Sequence, residues 1–178
     1  MPLALARELD AQAAAIAASI VGRSRRADLL AVLLARHLAK LHVVLLLLLF
    51  VGSREQRDAA LRIAAALPVT IGVVALVGRL IERERPFARQ PEGTALVDHA
   101  PGRSFPSRHS ACAAVMTTVA LPTAPTIGVL MGLSALGLAL SRVYAGLHYP
   151  SDVVGGWLIG IGIGIIARRK ELSRVLRT

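Results

Sequence analysis

The 178-residue chain predicts an all-α fold, an integral membrane bundle of about five transmembrane helices preceded by an N-terminal helix lying at the membrane interface. Three observations predict it. Hydrophobic residues make up 54% of the chain and the mean hydropathy is +0.60, beyond an ordinary soluble domain. Aromatic residues are 3%, so the apolarity lies in runs of Leu, Ala, Val, Ile and Gly, as suits lipid surroundings. Several of those runs approach the roughly 20 residues that a bilayer requires.

Residues 1–26 form the interfacial segment. The Ala-rich stretch 3–20 carries Arg7, Glu8 and Asp10, which suits an amphipathic surface helix and not the basic start and Leu-rich core of a cleaved signal peptide. The transmembrane core covers 27–170. Its first span, Ala27 to Gly52, is interrupted by Arg36, His37, Lys40 and His42, which must face the bundle interior or snorkel. A polar hairpin, Ser53 to Asp58, leads to the second span, Ala60 to Ile81. Residues 82–108 are polar, rich in Pro, Gly and Arg, and too long for a simple connection, which marks a functional loop. From Ser110 through Ser141 no residue is charged, and the break Pro122-Thr123-Ala124-Pro125 divides this stretch into two short helices. The fifth span is Val153 to Ala167, and residues 171–178 are a basic tail. All of this is one domain.

The formal charge is +10, from 21 Lys and Arg against 11 Asp and Glu. In a soluble chain that balance suggests nucleic acid. Here the cations sit between apolar runs, where they meet lipid head groups and orient the chain, so membrane lipid and no nucleic acid is the expected partner. Arg54, Arg57, Arg168, Arg169, Lys170, Arg174 and Arg177 share one side, which the positive-inside rule makes cytoplasmic. Arg23, Arg25 and Arg26 lie on the other side and partly oppose that assignment. Cys112 is the single cysteine, which excludes intrachain disulfides and cysteine-rich metal sites. In the fifth span Gly156, Gly160 and Gly164 make a smooth stripe, suited to a neighbouring helix of the same chain or to a homodimer.

Up-and-down threading brings the end of span two, the start of span three, the end of span four and the start of span five to one side. There stand Arg85-Pro86, then Pro106-Ser107-Arg108-His109, then Ser141-Arg142 with His148 and Asp152 following. This pattern resembles the three-part signature of the type-2 phosphatidic-acid phosphatase superfamily, KxxxxxxRP, PSGH and SRxxxxxHxxxD, which also includes vanadium haloperoxidases. The resemblance covers about residues 78–156, and the third motif matches at every fixed position. Two positions depart. Gly78 stands where the first motif has Lys, with Arg79 beside it as a substitute cation, and Arg108 stands where the second motif has Gly. The stretches RPF, SFPSRH and GLHYPSD look most like the bacterial undecaprenyl-diphosphatase branch, which accommodates both departures.

The resemblance implies hydrolysis of a lipid phosphate or prenyl diphosphate through a phosphohistidine, with no metal and no cofactor, in the bacterial inner membrane, and the positive-inside rule puts the site on the periplasmic or exterior face. The residues themselves offer that chemistry. His148 and Asp152 are one helical turn apart, a spacing that lets the carboxylate hold Nδ1–H and leave Nε2 free to attack. His109 is placed to protonate the leaving oxygen and then activate water. Ser107 suits an N-cap that turns the following amides toward a phosphate. Arg85 and Arg142 supply guanidinium forks, and Arg79 and Arg108 further cations. Carboxylates on this face (Glu82, Glu84, Glu92, Asp98, Asp152) lack paired metal-ligand spacing. Each element also has a plainer reading: Ser107 and Asp152 as helix caps, Arg85 and Arg142 as interfacial anchors, and His37, His42 and His99 as structural residues. Two other activities remain compatible with the motifs and spans. One is a phosphatase for phosphatidate or phosphatidylglycerophosphate. The other is a transporter component with Arg36, Lys40 and His42 lining a polar path.

Overall fold

The structure, a computed structural model, describes residues 2–89, 96–97 and 102–169. The described residues form six α-helices in order: α1 Pro2–Ile20, α2 Arg25–Val51, α3 Arg54–Ile81, α4 Arg108–Ala120, α5 Pro125–Tyr144 and α6 Pro150–Ala167. Among the described residues the extended pairing is limited to one isolated antiparallel bridge, Glu84 with Arg103, which ties the two ends of the 82–107 loop together. His99, Glu92, Asp98 and the tail from Lys170 onward lie outside the described residues.

The helix boundaries have local causes. Ser24 caps α2 by accepting from Ala27 N, and Gly22 at φ +82 makes the preceding turn that separates it from α1. The expected hairpin at Ser53 to Asp58 is shorter than its polarity suggests, because Ser53 and Gln56 form a reciprocal capping box and helix resumes at Arg54. At the far end of α3, Glu82 adopts φ 45 and returns its N–H to Gly78 O at 3.1 Å, which turns the chain back over the bundle. Pro125 and Pro150 open α5 and α6, where a missing N–H costs nothing.

Among the described residues four helices, α2, α3, α5 and α6, are long and apolar enough to cross a membrane. The chain is thus a multi-pass membrane protein. The expected third span is α4, and its 13 residues extend about 20 Å, short of a hydrocarbon core. It lies inside the bundle, with Ala111, Val115 and Val119 fully buried. Large apolar side chains such as Leu47, Val69, Leu133 and Leu158 are exposed on the surrounding helices, as a lipid-facing perimeter requires. The core of Leu45, Leu49, Ile63, Val115, Met116, Val119 and Met131 fills the end of the bundle away from the long loop.

The glycine stripe of α6 is covered by α4. A Cβ on Gly156 would come within 2.5 Å of Ser107 O, on Gly160 it would meet Ala111 O, and on Gly164 it would lie 2.7 Å from Thr118 Cβ. The stripe therefore brings together two backbones of one chain. In α2, Arg36, His37 and Lys40 lie on the exposed face, whereas His42 is buried with Ser134 Oγ at 3.3 Å. These residues do not line a shared path.

Candidate active site

The α6 face that closes on α4 sets the depth of the site. Ser107 caps α4, accepting from Ser110 N at 3.4 Å and from Ser110 Oγ at 3.0 Å, and its own N–H donates to Asp152 O at 2.9 Å. The starts of α4 and α6 are thereby joined, and His109 and His148 are carried toward the same space. Ser107 is fully buried in this role and does not line the cavity.

His148 lies in the turn before α6 and is 4% exposed. Its Nδ1 stands 2.9 Å from the carbonyl oxygen of Ser104, which can only accept, so Nδ1 carries the proton and Nε2 is the lone-pair nitrogen. The helical spacing predicts that Asp152 holds this proton, and the structure corrects that detail. Asp152 Oδ2 is 3.6 Å from Nδ1, because it takes the N–H of Tyr149 at 2.8 Å, while Oδ1 takes Arg83 at 2.8 Å. A backbone carbonyl from the returning loop fills the place expected of the carboxylate. Burial pulls the His148 imidazole below its ordinary pKa. Asp152 opposes that pull, and the charges of Arg85 and Arg142 add to it.

Two guanidinium groups face the two imidazoles. Arg85 Nη1 donates to Leu147 O at 2.9 Å and lies 3.4 Å from His148 Nε2. Arg142 Nη2 donates to His109 Nε2 at 3.1 Å. Both arginines are buried, and the Nε–H of each has no hydrogen-bond partner among the described residues. Burial lowers the Arg85 pKa, Asp152 raises it in part, and Arg108 lowers it further. Cations concentrated in this way, with donors left over, favour an anion between them.

A cavity of about 370 Å³ opens in front of these groups, lined by Arg79, Arg85, Arg108, His109 and His148 among others. Of the residues expected to form the site, these five share one space, Arg142 stands behind His109, and Ser107 and Asp152 form the buried backing. The first-motif departure has a steric cause. A Cβ at Gly78 would approach Phe105 O to 3.1 Å, so the returning loop occupies the space of a longer side chain there, and Arg79 lines the cavity instead. A second, mostly apolar cleft of about 270 Å³ shares Ile71, Arg108 and His109 with the first and continues past Val43, Cys112 and Met116. Among the described residues no group of three or more His, Cys, Asp or Glu is placed to hold a metal ion.

Residues 59–174 match the PAP2 superfamily model. The chain belongs to the PAP2 superfamily. Among its relatives is a provisional undecaprenyl-diphosphatase of Escherichia coli K12, YbjG, 35% identical over 137 residues that cover 74% of this chain and 67% of that protein. The undecaprenyl-diphosphatase BcrC of Bacillus subtilis is 35% identical over 82 residues, covering 46% of this chain and 42% of its own. The fold of the transmembrane PAP2-type phosphatidylglycerolphosphate phosphatase of Bacillus subtilis superposes with a TM-score of 0.72 at 22% identity, over 94% of this chain and 86% of the other.

Three residues contribute that motif spacing misses. Ser104 acts through its carbonyl, which any residue type would supply, so no sequence signal exists for it. Arg83 is one of the alternating charges Glu82-Arg83-Glu84-Arg85, a pattern that separates two arginines onto two partners. Asp10 is an acid in an Ala-rich helix, where exposure is the ordinary expectation.

Proposed function

We propose that this PAP2 protein is a metal-independent lipid phosphatase that hydrolyses a prenyl diphosphate, undecaprenyl diphosphate above others, to the monophosphate and inorganic phosphate. The single observation that carries the reading is that His109 and His148 line one arginine-lined cavity, with the Nε2 of each beside a guanidinium donor. Phosphoryl oxygens entering the cavity take over the Arg85 donor and release the Nε2 lone pair of His148, while Arg142 backs His109.

In the first step His148 Nε2 attacks the terminal phosphorus, the bridging P–O bond breaks, and protonated His109 gives its proton to the leaving lipid phosphate. In the second, His109 takes a proton from water, whose oxygen attacks phosphohistidine. The P–N bond breaks, inorganic phosphate leaves and His148 is regenerated. Arg85, Arg142, Arg79 and Arg108 balance the charge spread over the phosphoryl oxygens, which is the main requirement of such a transfer. The apolar cleft beside His109 supports a hydrocarbon-bearing substrate. Its position, and the diphosphatases among the relatives, favour a prenyl diphosphate. A phosphatidylglycerophosphate phosphatase is the second reading, favoured by the likeness in fold to that enzyme. The site is assigned to the periplasmic or exterior face of the bacterial inner membrane, because Arg54, Arg57, Arg168 and Arg169 lie at the opposite end of the bundle.

The test is phosphate release by the purified protein in detergent from undecaprenyl diphosphate, phosphatidate and phosphatidylglycerophosphate. Wild type is expected to prefer the diphosphate, to keep its rate in EDTA, and to lose activity as His148→Ala. A rate abolished by EDTA and restored by Mg²⁺, or an active His148→Ala, would refute the mechanism.

A further inference from the structure

Away from the cavity, one charged cluster is built as tightly as the site itself. Helix α1 leaves Leu5, Leu9 and Ile16 more than half exposed, at 58%, 55% and 61%, yet its Asp10 is 3% exposed. Toward the bundle this helix buries little apolar surface beyond Ala17 and places a carboxylate there instead, and the desolvated charge requires close partners. Asp10 has them. Arg83 Nη2 lies 2.6 Å from Oδ2, Ser151 N donates to Oδ1 at 3.0 Å, and Ser151 Oγ donates to Oδ2 at 2.5 Å.

Arg83 reaches the other way as well. Its Nη1 donates to Asp152 Oδ1 at 2.8 Å and to Ser151 Oγ at 2.6 Å, and its guanidinium sits 3.9 Å from the centroid of the Tyr149 ring. Tyr149 and Ser151 flank the Pro150 that starts α6, and Asp152 stands 3.6 Å from His148 Nδ1. The order is carboxylate, guanidinium, carboxylate, imidazole, running from α1 through the loop to α6. Neither Asp10 nor Arg83 lines the cavity at His148.

We infer that Asp10 and Arg83 are positioning residues for catalysis: α1 is latched across the start of α6, and the latch holds Asp152 and the His148 turn in register with the cavity. This rests on the reading of His148 as the nucleophile. The charged and titratable groups around His148 are Asp152 from α6, Arg85 and Arg103 from the loop, Arg142 from α5, Arg108 and His109 from α4, and Arg79 from α3. Asp152 is the anion of that set, and Arg83 partly neutralises it. The latch therefore tunes the field at the imidazole as well as its place.

Opposite pH effects separate this role from simple support. Arg83→Gln leaves the Asp152 charge undivided, favours the imidazolium and moves the acid limb of kcat/KM to higher pH by about half a unit or more. Asp10→Asn gives the whole Arg83 charge to Asp152 and moves the limb to lower pH. Displacement of the turn lowers kcat by roughly ten- to a hundredfold in Arg83→Gln, with KM changed little, and Arg83→Lys restores part of it. A latch that served stability alone would lower the yield and melting temperature and leave the limb in place.

The experiment follows phosphate release from undecaprenyl diphosphate between about pH 4 and 9. It compares wild type, Arg83→Gln, Arg83→Lys, Asp10→Asn and His148→Ala, all of full length in detergent, with Trp157 fluorescence melts as the folding control. Limbs displaced in opposite directions support the latch. Folded Arg83→Gln and Asp10→Asn enzymes with wild-type kcat and limb, beside an inactive His148→Ala, overturn it alone. If Arg83→Gln does not fold, Asp10→Asn, nearly equal in volume to the native residue, decides. An active His148→Ala overturns the nucleophile reading and this inference with it.

Discussion

The cavity has two unlike walls. On the deep side Arg85 and His148 line the cavity with Arg142 and Asp152 buried behind them, and each is fixed by a partner from elsewhere in the chain: a Leu147 carbonyl for Arg85, a Ser104 carbonyl for His148, His109 for Arg142 and Arg83 for Asp152. On the rim Arg79, Arg103 and Arg108 are exposed, and Arg103 pairs with an exposed Glu82 at 3.1 Å. The difference teaches which positions the fold dictates. A deep residue can move only if the partner that fixes it moves too, whereas a rim cation can change with little else disturbed. Substitutions on the deep wall should therefore change kcat, and those on the rim KM.

The largest effect tests the deep wall directly. His148→Ala should lower kcat by roughly 10⁴-fold while the protein folds and binds lipid, as loss of a nucleophile does elsewhere. Single-turnover release of phosphate measures it. Next comes Arg142→Lys, which keeps the charge and removes the fork. It should cost about 10²- to 10³-fold in kcat. A near-normal rate would move Arg142 from the deep wall to the rim in function, and the contrast between the walls would fail.

The wall can also be disturbed from behind. Gly156→Ala places a methyl 2.5 Å from Ser107 O and 3.1 Å from Ser110 Cβ, both on the α4 side of the joint. The expected cost is about 1–3 kcal/mol of stability, since neither backbone can yield. A drop in kcat should accompany it as His109 moves away from His148. Thermal melts and kinetics on the same preparation check both. Gly162→Ala, where a Cβ would meet nothing within 4 Å, is the control and should leave stability and rate unchanged.

The two walls also differ in how far the sequence reveals them. The helices are read from hydropathy and breakers, because lipid forces every span to satisfy its backbone internally. The motif residues are legible because their spacing places them at helix ends. What holds them is less so. Ser104 contributes a carbonyl, and Asp10 meets Ser151 across 141 positions of chain, a distance over which no local pattern operates. The surroundings of α4 were hidden for a related reason: an uncharged stretch looks alike whether its helix faces lipid or other helices, and the burial of α4 against the glycines of α6 shows which.

On the rim, Arg108→Gly restores the residue that the family motif has there and removes a cation. KM should rise about three- to tenfold, more at low salt than at high, with kcat changed by less than about threefold, as for exposed charges in water. Assays at low and high ionic strength check it. A fall in kcat equal to that of Arg142→Lys would place Arg108 among the deep residues.

The smallest effect sharpens the contrast furthest. Burial lowers the His148 pKa, and Arg85 and Arg142 add to the lowering against Asp152. A base whose pKa falls on folding is neutral in the native state at pH values where the unfolded chain is partly protonated. Lowering the pH therefore first loads protons onto the unfolded state, so this residue's contribution to stability is complete above about pH 6.5 and is lost as the pH falls through the lowered native value. For catalysis the same sign means that the attacking Nε2 stays available below pH 6.5, and the acid limb of kcat/KM should lie beneath that value. Arg108→Gly should leave the limb where it is, because Arg108 is exposed and screened by water, whereas Asp152, Arg85 and Arg142 act on His148 from buried positions. A limb that moved with the rim substitution would mean that both walls act on the imidazole through one shared field, and the division between them would be geometric only.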